Sequence, residues 1–114
     1  MSACLIYATV GEPAEAERIG RTLVAERLAA AANLLPGVRS FYWWEGEVRG
    51  GAETVVILKT RADLADRAVE RIKALHSYAC PGIVVVPITG GNEAYLDWIA
   101  AETRSDTGPT ETVA

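Results

Sequence analysis

Residues 40–48 read Ser40-Phe41-Tyr42-Trp43-Trp44-Glu45-Gly46-Glu47-Val48. Four aromatic residues stand in a row, in a chain of 114 residues that holds only three Trp, four Tyr and one Phe. A strand sends alternate side chains to opposite faces. Phe41 and Trp43 then share one face, and Tyr42 and Trp44 the other. A small domain with one buried sheet face has no place for both sets. The rest of the chain must supply a cover for the second face.

Downstream, residues 53–60 (ETVVILKT) are rich in β-branched residues and read as another strand. The two runs, joined by a short Gly-bearing link, read as a hairpin. Its turn lies either at Glu45-Gly46 or at Arg49-Gly50-Gly51. Upstream, NLLPGVRS is extended, with Pro36-Gly37 marking a bulge or bend. Residues 4–9 (CLIYAT) form a first, central strand. Pro13 suits the first turn of a helix, where its missing N–H costs nothing. Ala16, Ile19, Gly20, Leu23, Val24, Leu28 and Ala31 then recur at helical spacing, which predicts a helix from Pro13 to about Ala31.

Thr60-Arg61-Ala62-Asp63 has the spacing of a capping box, with Asp in place of Glu. The helix after it carries Leu64, Ala68, Ile72 and Leu75 on one stripe, with Asp63 and Arg67 as an i,i+4 pair. HSYACPG (76–82) reads as a loop and IVVVPI (83–88) as a strand without polar alternation. A last helix, about 93–103, carries Tyr95, Leu96, Trp98 and Ile99.

The order is β-α-β-β-α-β plus a C-terminal helix. This is an α+β, ferredoxin-like sandwich with a long hairpin between its second and third strands. Both main helices cover the same face of a four-stranded antiparallel sheet. Yet LIYA, VVIL and IVVVPI are apolar at consecutive positions, which means burial on both sides. An open apolar sheet face would exceed the few hundred Å² that monomers usually show. Either the C-terminal helix folds back over part of it, or another copy of the chain covers it. Neither cover needs a cofactor.

The length predicts one domain over residues 1–104. The tail SDTGPTETVA (105–114) has the composition of a disordered segment. Eleven Lys and Arg against fifteen Asp and Glu give a net charge of -4, with no basic block, so no nucleic-acid partner is expected. No apolar run approaches the ~20 residues of a membrane span. The N-terminus lacks a basic region of the signal-peptide kind, so a cytoplasmic address is expected. Cys4 and Cys80 are expected to be free thiols.

Several stretches carry a resemblance. LVAERLAAAANLLPGVRSFYWWEGEV, ILKT, IKALHSYACPGIVVVPI and YLDWI resemble the CutA family of divalent-cation tolerance proteins, from about Leu5 to Ile99. The resemblance implies a tight homotrimer, similar in arrangement to the PII signalling proteins. The three sheets would face an inner core and each hairpin would reach a neighbour. It makes Phe41, Tyr42, Trp43 and Trp44 trimer contacts. It also implies a role in tolerance to copper and other divalent ions. The alternative is a PII-like sensor that binds a small-molecule effector between subunits.

Candidate site residues follow from both readings. His76 is the single histidine. Family members usually show His-Pro-Tyr, two residues, then Pro-Glu. Here His76, Tyr78 and Pro81 match, while Ser77 and Gly82 depart. Ala8 and Ala31 stand where some relatives carry cysteines. His76 and Cys80, at i,i+4, remain as candidate metal ligands, since imidazole and thiolate suit copper or zinc. A neighbouring subunit would supply a third donor. Trp44, Glu45, Glu53, Lys59, Tyr78 and Tyr95 are candidates for an intersubunit pocket. Glu45 and Lys59 could equally form interchain ion pairs. TGGNE (89–93) is a loop and cap, or an anion cradle at a helix N-terminus. No nucleophile-base-orienter set is visible, which predicts a protein that is not an enzyme. No cofactor is required; copper or another divalent metal is the candidate.

Overall fold

The computed structural model describes residues 2–104. The chain runs β1 (Ala3–Val10), α1 (Pro13–Ala25), β2 (Ala31–Trp44), β3 (Glu47–Arg61), a single 3-10 turn (Ala62–Leu64), α2 (Ala65–Leu75), β4 (Ile83–Ile88) and α3 (Glu93–Glu102). The strands form one antiparallel sheet in the order β2-β3-β1-β4. The tail read as disordered, 105–114, lies outside the described residues.

Strand alternation decides which side chains meet the helices. Ile6 pairs with Leu58, and Ala8 with Val56. These residues point to one face and are fully buried there. From above, α1 contributes Ile19 and Leu23, and α2 contributes Ala68 and Ile72, to the same core. Each large apolar side chain removed from water adds roughly 1.5–3 kcal/mol. Pro13 opens α1 as the sequence predicts.

The first helix ends earlier than its apolar spacing suggests. Arg27 takes a left-handed conformation (φ 59). The Leu28 N–H then reaches back to the Leu23 carbonyl (2.9 Å) and the Arg27 N–H to that of Val24 (3.0 Å). This double closure terminates a helix. Ala31 consequently starts β2 rather than ending α1. Arg27 also binds Glu102 (2.9 Å), and its carbonyl accepts from the Arg104 N–H (2.8 Å), which ties the end of α3 to the end of α1.

The capping box at Thr60 does not form. Thr60 is drawn into the β3 ladder opposite Cys4, buried, with its hydroxyl unpartnered. Asp63 instead forms a two-point ion pair with Arg61 (2.6 and 3.0 Å). At the other end of the chain Asn92 caps α3, its side chain accepting from the Ala94 N–H (3.0 Å).

Pro36-Gly37 is the expected bulge: the β2–β3 register shifts between Leu35 and Val38, and Gly37 has φ 74. The hairpin turn is Glu45-Gly46, with φ 52 and 79. Two consecutive positive φ values mark the two-residue turn whose twist matches paired strands. The Arg49-Gly50-Gly51 segment lies within β3 instead.

The second face of the sheet is closed in part. Lys59 points to this face and sits 5.5 Å from the Tyr95 ring of α3. Val55, of the same face, and Ile99 of α3 are both buried yet stand apart from the main core. So α3 does fold back over the face. It leaves Tyr7, Val84, Val86 and Leu35 exposed. The register sets Tyr7 beside Val84 and Leu5 beside Val86, so the open part is a continuous apolar strip.

Candidate functional site

Three parts of the chain meet at the root of the hairpin: the end of β1, the loop after α2, and the facing strands β2 and β3. Between them lies an open groove of ≈ 520 Å³. Tyr42 and Trp44 of β2, Arg49 and Glu53 of β3, and Tyr78 and Cys80 of the loop line it.

The loop is held by polar bonds to β1 and α1. The His76 side chain is fully enclosed. Its Nε2 lies 2.8 Å from the Thr9 carbonyl, which can only accept, so the ring proton sits there. Nδ1 accepts from the Tyr78 N–H (3.1 Å). Glu15 of α1 accepts from both the backbone N–H and the hydroxyl of Ser77 (2.7 and 2.9 Å), and stands 3.7 Å from Nδ1. Ser77, the departure from the family's proline, thus supplies two donors that proline lacks.

These bonds aim Tyr78. Its ring lies against His76 (4.6 Å between centroids) and its hydroxyl donates to Glu53 (2.8 Å). Burial, then the Glu53 carboxylate, push the phenol up to about 12. A side chain at Gly11 would begin 3.1 Å from the Tyr78 hydroxyl, so a glycine there lets the ring lie down. Gly82, which stands where the family pattern has glutamate, has Thr9 Oγ1 3.2 Å from where its Cβ would be.

His76 and Cys80 take different positions. Both ring nitrogens of His76 are engaged inside the chain. Cys80 is a free, exposed thiol on the groove, and Cys4 is a free, buried one whose thiol burial pushes up. Among the described residues, no group of three or more His, Cys, Asp or Glu is placed to hold a metal ion.

The pocket candidates divide between two places. Trp44, Glu53 and Tyr78 belong to the groove. Glu45 sits at the arm's turn, paired with Arg49 (3.3 Å). Lys59 and Tyr95 lie elsewhere, where Lys59 donates to Asn33 (2.9 Å) and Tyr95 stacks on Trp98 (5.4 Å). All four residues of the aromatic run are exposed in the single chain, Trp43 (73%) more than Trp44 (44%). Sequence reasoning missed Thr9, Glu15 and Arg49, because their roles arise only from partners far along the chain or across the hairpin.

Residues 4–102 match the family model described as CutA1 divalent ion tolerance protein. The chain belongs to that family. Among curated relatives, the divalent-cation tolerance protein CutA of Pyrococcus horikoshii is 44% identical over 88% of this chain and 97% of its own length. The chloroplastic CutA 1 of Oryza sativa is 42% identical over 88% of this chain. The chain spans only 56% of that relative's length, and 56% of the chloroplastic CutA of Arabidopsis thaliana. Solved structures agree. The crystal structure of CutA1 from Oryza sativa superposes with a TM-score of 0.90 at 40% identity, covering 93% of this chain and 97% of that one. The divalent cation tolerance protein from Thermus thermophilus gives 0.87 at 41% identity, covering 90% and 99%. The α+β architecture with its four-stranded antiparallel sheet is therefore shared with known family members.

Proposed function

We propose that this family member acts in divalent-ion tolerance as a homotrimer, its subunits joined through the open part of the second sheet face and through the hairpin arm. The observation that carries this is the surface itself. The strip around Tyr7, Val84 and Val86 is apolar and uncovered, and the arm adds Phe41 and Trp43, the two most exposed of its four aromatics. Aromatics of this kind are typical of interface cores. A second copy of the chain is the natural cover for both.

Metal binding, in this account, takes place between chains. Cys80 presents a soft thiol outward, suited to copper or zinc. The chain's own donors around it are too few for a closed site, so a neighbour supplies the remainder. His76 would have to leave Thr9 and Tyr78 before it could ligate, so we assign it to holding the loop. The relatives are named divalent-cation tolerance proteins, which favours ion tolerance over effector sensing.

Titration calorimetry of the assembled protein with Cu(II) and with Zn(II) tests the metal role. Wild type should bind, Cys80→Ser should lose most of the heat, and His76→Gln should keep it if the fold holds. Absence of heat in wild type would remove direct metal binding while leaving the family membership untouched.

A further inference from the structure

The groove at the root of the arm has features that a metal site does not need. Its volume, ≈ 520 Å³, lies within the roughly 300–1,000 Å³ typical of small-molecule sites. Its walls are mainly aromatic, with Tyr42 and Trp44 on one strand and Tyr78 opposite. One wall is rigid, because His76 and Glu15 pin the loop that carries Tyr78. A site braced before the ligand arrives spends less of the binding energy on ordering.

The charges select the ligand. Arg49 is the groove's single cationic side chain among the described residues, and two carboxylates hold it, Glu45 at 3.3 Å and Glu47 at 3.6 Å. An incoming anion must compete with both. Glu53 is in the opposite position. Its Oε2 accepts from the Tyr78 hydroxyl, which stays a neutral donor because its proton is held up to about 12. The second oxygen, Oε1, takes no bond from the described residues. The groove therefore offers a carboxylate beside aromatic faces.

We propose that this groove binds a small organic ammonium ion, with its cationic head on Glu53 and its alkyl groups against Tyr42 and Trp44. Cations are attracted to aromatic faces, most strongly to Trp, and more so once water is excluded. A bare divalent metal is a poor match. Hard dications demand several oxygen ligands, and only one carboxylate of the groove is unpaired with a cation. A quaternary or alkylated ammonium spreads its charge over methyl groups, so one carboxylate and several ring faces suffice. Cys80 lines the same groove. The ammonium proposal rests on the Glu53 carboxylate and the ring faces, not on the thiol, so loss of metal binding in Cys80→Ser does not decide it.

The test uses the full-length assembled protein and three probes of similar size: choline, its neutral isostere 3,3-dimethyl-1-butanol, and phenylacetate. Calorimetry should show saturable binding of choline, with the neutral isostere weaker by about tenfold, the factor that ~1.4 kcal/mol represents. Glu53→Gln keeps an acceptor for Tyr78 but removes the charge, and should weaken choline by about tenfold without changing the melting temperature. Tyr78→Phe frees Glu53 and should preserve or tighten binding, so a misfolded Glu53 variant would not leave the matter undecided. Equal binding of choline and its isostere would overturn the proposal. So would preference for phenylacetate, or no saturable choline binding because a neighbouring subunit fills the groove.

Discussion

β2 and β3 pass through two different environments. In the body of the molecule their side chains are sealed: Val56 and Leu58 have no exposed surface. In the arm, beyond the bulge, Phe41 and Trp43 are 70% and 73% exposed. The ladder is interrupted once between the two, at the Leu35/Val38 bulge, and then runs unbroken from Val38–Glu53 to Trp44–Glu47. Burial holds the body together. The arm is held up by backbone bonds, by its two-residue turn and by local packing, such as the Phe41 ring lying on Gly50, where a Cβ would meet it at 2.7 Å. A two-stranded ribbon alone is marginal in water. In the proposed assembly Phe41 and Trp43 of this ribbon meet a neighbouring chain, while Tyr42 and Trp44 line the groove.

The contrast can be broken from the body side first. Leu58→Ala removes a fully buried side chain and should cost about 2–5 kcal/mol in denaturant unfolding. An arm substitution of comparable size, Trp43→Ala, should change the unfolding of a dissociated chain by less than about 0.5 kcal/mol, as exposed sites do. Its effect should appear in association instead, with dissociation on dilution at protein concentrations where wild type stays assembled. Between these lies the turn. Gly46 has φ 79, so Gly46→Val should cost roughly 1–2 kcal/mol and lower protection of the arm's amides from exchange, leaving those of Ile6 and Leu58 unaffected.

The smallest effect concerns the junction of arm and body. Tyr78 holds its proton more tightly when folded, up to about 12 against a usual value of 10. A raised folded value means stability that is complete below pH 10 and lost as pH rises from 10 through about 12. Tyr78→Phe should flatten that alkaline decline in a urea-midpoint series. An unchanged decline would show that the Tyr78–Glu53 bond does not couple arm to body.

Much of the body is legible in the sequence because local pattern and tertiary structure agree there. The strands at 4–9 and 83–88, the bulge at Pro36-Gly37 and the stripe of Leu64, Ala68 and Ile72 all follow from periodicity and turn chemistry. Legibility fails where a distant partner overrides the local signal. Arg27 occupies a left-handed position that glycine usually takes, secured by Glu102 from α3. Thr60 has the spacing of a cap, yet strand pairing with Cys4 claims it. The turn at Glu45-Gly46 lacks the usual Asn or Asp, so the sequence alone does not separate it from Arg49-Gly50-Gly51.

The site divides along the same line. Tyr78 and Glu53 stand out from their residue types and positions near strand ends, and the structure joins them. The groups that fix this loop lie far away in sequence, Thr9 67 residues from His76 and Glu15 62 residues from Ser77, and no spacing rule connects them. Lys59 and Tyr95 look like neighbours of the groove in the linear reading. The alternation of β3 and the return of α3 carry them to the second sheet face instead.

The central claim is that the uncovered face and the exposed arm are contact surfaces between copies of this chain. Light scattering of the purified protein during size-exclusion chromatography tests it most directly. The account predicts a particle of about three times the 12.2 kDa chain mass. A stable species of 12.2 kDa that keeps its native fold would contradict it.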